Sequence, residues 1–121
     1  MARFPVHPRR GEVYLISLGT KRRPAVILSI DALNRHALDV CVVGLTTVEP
    51  AKFSMRVPVK AGDGGLNSDC WAKCDQVTTL EKTLLQYPAI GRLSEATFER
   101  VQEQVRISLG CRNSDRAPHQ S

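Results

Sequence analysis

No apolar run in this chain approaches the roughly 20 residues that a membrane-spanning helix needs, and residues 1–10 lack the apolar stretch of a secretory leader. A cytoplasmic protein with no membrane partner is therefore expected. No internal repeat is present. Acidic residues are in the minority, twelve against seventeen Lys and Arg, for a formal charge of +5. That balance is common among soluble proteins, and it also suits a polyanionic partner. Cysteines are few: Cys41, Cys70, Cys74 and Cys111, which the cytoplasm should keep reduced. Cys70 and Cys74 have a spacing compatible with zinc, but His7, His36 and His119 lie outside any second half-motif that would complete the site. No metal and no cofactor are expected. In an extended segment residues 70 and 74 fall on one face and act as small buried hydrophobes.

The 121 residues leave room for one moderate core and one domain, placed at residues 11–111 between a polar arm (1–10), expected to be mobile, and a polar tail (112–121). The most informative stretch is Lys21-Arg22-Arg23-Pro24 followed by Ala25-Val26-Ile27-Leu28. It reads as a cationic loop entering a buried strand, with Pro24 biasing Arg23 towards an extended conformation. A guanidinium held in that way suits a phosphate.

Strands are expected over Glu12–Leu18, 24–30 and 38–45, all central, with helix and turn formers at Asp31–His36 between the second and third. Residues 54–59 alternate, but Pro58 marks an edge strand or strand end. A turn at 62–65 precedes a strand at 70–78, and 84–91 reads as a connection without defined form. Ser94 is placed to cap a helix whose face carries Phe98, Val101, Val105 and Leu109, with Gly110 to stop it. The expected fold is α+β and mainly β: a small, strongly bent antiparallel sheet or SH3-like barrel with a C-terminal helix.

Five short motifs in order resemble the MazF/PemK family of toxin endoribonucleases. They are Arg10-Gly11-Glu12-Val13, Arg23-Pro24, Leu45-Thr46-Thr47, Cys74-Asp75-Gln76 with Thr79, and the Gly91 to Ser94 entry into the last helix. Two departures stand out: the first loop is shortened to Gly19-Thr20-Lys21-Arg22, and Lys73 stands where some members carry arginine. The resemblance implies the CcdB/MazF-like fold and a toxin that cuts single-stranded mRNA without a metal. It also implies a homodimer, held inactive by an antitoxin with an acidic, disordered tail.

Such cleavage uses the RNA's own 2′-hydroxyl and needs in-line geometry, a base, an acid and donors on the phosphoryl oxygens. Arg23 is assigned to the scissile phosphate. Thr46 otherwise reads as an ordinary strand residue; the resemblance makes it the hydroxyl donor. Lys73 and Asp75 alternate onto one face as acid and base, or form a surface ion pair of little energetic value. Trp71 shares their face and either packs or stacks on a base. Lys21, Arg22, Thr47 and Gln76 complete the expected RNA contacts, with His36 as an outlying one. The competing readings are a CcdB-like toxin that binds DNA gyrase and a degenerate copy of the nuclease.

Overall fold

In the computed structural model, residues 7–52 and 54–111 are described. Strands β1 (Glu12–Leu18) and β2 (Lys21–Ile27) form an antiparallel hairpin joined by only Gly19 and Thr20, with Gly19 at φ 64°. So short a turn keeps the strands paired to their ends, Leu18 opposite Lys21. The residues read as a cationic loop are therefore part of β2. The strand expected over 24–30 ends at Ile27 instead, and Leu28 to Ile30 lead into helix α1 (Asp31–His36). Next come β3 (Asp39–Thr46), β4 (Arg56–Val59), β5 (Cys70–Glu81), β6 (Leu85–Arg92) and helix α2 (Glu95–Ser108).

The strands make one sheet in the order β4-β5-β3-β2-β1-β6, antiparallel throughout. As expected, β1, β2 and β3 are interior, and β4, which contains Pro58, is an edge. The segment left without form is β6, which pairs with the outer side of β1. The sheet cannot be flat. Strands β5 and β6 are four inter-strand steps apart in that order, about 19 Å in a flat sheet, yet only the tight turn Lys82–Leu84 joins them. Curling brings Leu80 of β5 and Leu85 and Ala89 of β6 onto one cluster with Tyr14, Ile16, Ala25, Ile27, Val40 and Val42. The mainly-β sheet with its C-terminal helix is the architecture expected.

The opposite face is sealed by α2. Val101 and Val105 are buried there against Val13, Val26, Val43, Leu45, Val57 and Ala72. Leu109, expected on the same stripe, is the C-cap and stands 63% exposed, with Gly110 beyond it at φ 79°. The helix starts at a built junction: Ser94 Oγ accepts from the Thr97 amide at 3.3 Å. Asp63, from the glycine-rich turn, accepts from the Ser94 amide (2.8 Å), Ser94 Oγ (3.1 Å) and Thr97 Oγ1 (2.7 Å). Burial would raise the Asp63 pKa, but these donors outweigh it and hold the carboxyl below its usual range. A side chain on Gly65 would overlap the Ile90 carbonyl, so turn and β6 touch backbone to backbone.

The last residues of the arm expected to be mobile are docked. Pro8 is buried, and Arg10 lies over the Phe98 ring while its amide donates to Asp31 at 2.8 Å. The rest of the arm, 1–6, and the tail, 112–121, lie outside the described residues.

Candidate functional site

A single proline opens the site. Along a strand, successive residues turn their N–H and C=O groups to alternate neighbours. The Gly11 amide donates to the Ile27 carbonyl and the Leu28 amide to the Cys41 carbonyl, so even-numbered residues of β2 face β3. The β2–β3 ladder runs from Ile27↔Val42 to Ala25↔Gly44 and stops. Its next bond would come from Pro24, which has no N–H to give. Beyond that point two pockets lie between the strands, of about 330 Å³ and 110 Å³, and Arg23, Pro24 and Leu45 line both.

Continuing the same register sets Arg23 opposite Thr46, and alternation puts both on the curled face with Ala25 and Gly44. Thr46 is 9% exposed, and its Oγ1 accepts the Val48 amide at 3.1 Å. One of its two lone pairs is thus occupied, and its O–H is left to donate. Lys21, Arg22 and Thr47 line the larger pocket; Lys73 and Gln76 line the smaller. Lys73 reaches it by lying across Gly44, where a Cβ would come within 3.1 Å of its Cε. The arrangement offers cations and a hydroxyl donor to one small anion, the chemistry of a phosphate site.

Three residues expected at the site line neither pocket. Asp75 lines neither pocket; its carboxylate lies 3.6 Å from Arg56 Nε. The β3–β5 ladder is bulged, Val43↔Val77 and Leu45↔Ala72 being successive rungs so that two steps of β3 span five of β5, yet Cys70, Ala72 and Cys74 all keep the helix face. Lys73 and Asp75 both flank Arg56, which pairs with Lys73 and lies 3.6 Å from the Asp75 carboxylate. His36 is exposed on α1, which joins the far ends of β2 and β3, away from Arg23 and Thr46. Trp71 pairs with Thr46 on the curled face but borders neither pocket. Arg56 was missed by sequence reasoning; only the β4–β5 register, which pairs it with Lys73, reveals it.

Cys70 and Cys74 share the helix face, as expected, buried in its cluster. Burial, aided by the neighbouring Asp75 charge, pushes the Cys74 thiol up to about 12, and burial also raises Cys70. Both are neutral packing groups. Among the described residues, no helix is long and apolar enough to cross a membrane.

Residues 9–109 match the family described as PemK-like, MazF-like toxins of type II toxin-antitoxin systems. Endoribonuclease MazF9 of Mycobacterium tuberculosis is 30% identical over 113 residues, covering 84% of this chain and 95% of the relative. Endoribonuclease MazF1 of Mycobacterium bovis is 33% identical over 106 residues, covering 85% and 93%. Among solved structures, a mycobacterial endoribonuclease in complex with its cognate antitoxin superposes with a TM-score of 0.75 at 31% identity, over 88% of this chain and 96% of that one. The MazE-MazF structure from Deinococcus radiodurans, at 18% identity and a TM-score of 0.77 over 89% of this chain and all of that one, shares the fold. Matched over residues 9–109 and at least 30% identical to curated relatives over most of its length, the chain belongs to the PemK-like, MazF-like toxin family.

Proposed function

We propose that this chain is the toxin of a type II toxin-antitoxin pair, a cytoplasmic endoribonuclease that cuts single-stranded RNA at selected sequences without a metal ion. The observation that carries this reading is the meeting of Arg23 and Thr46 in one pocket beside Pro24, in a chain of this family. The scissile phosphate enters that gap. The Arg23 fork holds two of its oxygens, and the Thr46 hydroxyl donates to the charge that builds as the 2′-oxygen attacks. Lys73 delivers a proton to the departing 5′-oxygen. Asp75, beside Arg56 and Lys73, takes the proton from the attacking 2′-hydroxyl. Lys21, Arg22, Thr47 and Gln76 contact the RNA on either side.

The mycobacterial complex supports an antitoxin partner here too. An acidic, disordered tail would compete with RNA for Lys21, Arg22, Arg23 and Lys73. A homodimer, the assembly the family resemblance implies, would present two such pockets. A gyrase-binding toxin would have no use for a phosphate-gripping arginine beside a threonine donor. The test is a mixed transcript pool incubated with pure protein in excess chelator. Discrete, reproducible cuts are expected, and an intact pool would contradict the proposal.

A further inference from the structure

Beyond the phosphate pocket, the curled face carries an arrangement that cleavage at Arg23 does not use. Thr46 pairs with Trp71, and Trp71 pairs with Pro58 on the edge strand. Added to the Arg23–Thr46 register, this makes one rung across β2, β3, β5 and β4. With strands about 4.8 Å apart, Trp71 stands about 10 Å from Arg23 along that rung. Its neighbours are small or flat: a threonine on one side and an exposed proline on the other.

Arg56 sits on the same face, diagonal to Trp71 and opposite Lys73. Its side chain is only 19% exposed, and its buried Nε has no hydrogen-bond partner. Asp75 Oδ1, at 3.6 Å, is too far to accept from it. Among the described residues no acceptor pairs with the two terminal nitrogens either. Asp75 is its ion-pair partner and only Nε is enclosed, so the two terminal nitrogens are left able to donate to a further anion.

We propose that Trp71, Pro58 and Arg56 form a nucleotide subsite beside the scissile phosphate, the base stacking on the indole along Pro58 and the phosphate of that nucleotide bound by Arg56. The proposal rests on reading the neighbouring pocket as an RNA site. Its ligand is any unpaired nucleotide, because an indole face stacks on every base. A strand held at Arg23 and crossing the sheet along the rung meets Trp71 and then Arg56.

Trp71 is the only tryptophan in the chain, so its emission reports on this subsite alone. The probe is a mixed-sequence single-stranded decamer with 2′-deoxy sugars, which keeps bases and phosphates but cannot react. The intact decamer should quench the emission, and an abasic decamer of equal charge should not. Trp71→Ala should weaken decamer binding roughly 10-fold, and Trp71→Phe should restore most of it. Arg56→Ala should lower the salt dependence of binding by about one single-strand phosphate contact, a slope change of about 0.7. Unchanged emission with the intact decamer, or equal quenching by the abasic one, overturns the subsite. The nuclease reading is judged separately: RNA left uncut by the wild-type protein would sink that reading while the quench still decides the subsite.

Discussion

The two faces of this sheet are built from the same strands in alternation, yet they end in opposite states. On the helix face Val13, Val26, Val43, Leu45, Val57 and Ala72 run unbroken beneath Val101 and Val105. On the curled face the apolar positions stop partway: Ala25 and Ile27 give way to Arg23, and Val40 and Val42 to Gly44 and Thr46. The helix face gains stability by excluding water. The curled face spends part of its length on charge, at the end where Pro24 keeps β2 and β3 from closing. Stability and chemistry are thus carried by opposite sides of the same residues' backbones, and substitutions should separate them.

The largest separation is expected at Arg23 and Thr46. Arg23→Ala and Thr46→Ala should each lower cleavage by roughly 100-fold or more, the usual scale for losing one transition-state donor, with thermal melting little changed. Wild-type rates in either folded variant would break the division. The converse variant is Val101→Ala, on the sealed face at 0% exposure. It should lose about 2 kcal/mol of stability through the cavity it leaves, read as a lower urea midpoint, while the folded fraction cleaves at the normal rate.

Pro24 stands between the two roles. Pro24→Ala supplies the missing N–H opposite Leu45 and lets the ladder continue, which should narrow the pocket and cut activity roughly 10-fold without loss of stability. Full activity would mean the proline does not hold the gap. The smallest effect concerns Asp63. Its folded pKa is lowered, so its contribution is present above the ordinary carboxylate range near pH 4 and is lost as pH falls through the folded value. Asp63→Asn should cost about 1 kcal/mol at neutral pH and flatten the acid limb of the stability curve. Some slope should remain, because the Arg10 amide holds Asp31 low as well.

Most of the fold is legible in residue patterns. The alternation in β1, the edge position of Pro58, and the Ser94 cap and Gly110 stop of α2 all read directly. What escapes is governed by long-range pairing. β6 contains Pro88 and Gly91 and lacks alternation; it is a strand because β1 offers it a free edge. Lys21 to Arg23 look like a loop until the two-residue turn pairs them with β1. At the site, Arg23 and Thr46 are both singled out by the sequence and line one pocket, but the reason they meet, a register ending at proline, is not local. Asp75 falls beside Lys73 in the alternation, but its ion pair with Arg56 comes from the β4–β5 register and is not local. Arg56 carries no local signal at all, since only its rung with Lys73 brings it to the curled face.

The central claim is that the pocket at Arg23 and Thr46 drives attack by the RNA's own 2′-hydroxyl. The end groups of the products test it most directly. Cleavage in chelator should leave a 2′,3′-cyclic phosphate on one fragment and a 5′-hydroxyl on the other, and a single 2′-deoxy substitution at the cut site should abolish it. Products ending in a 5′-phosphate, or efficient cutting of the 2′-deoxy substrate, would contradict the account.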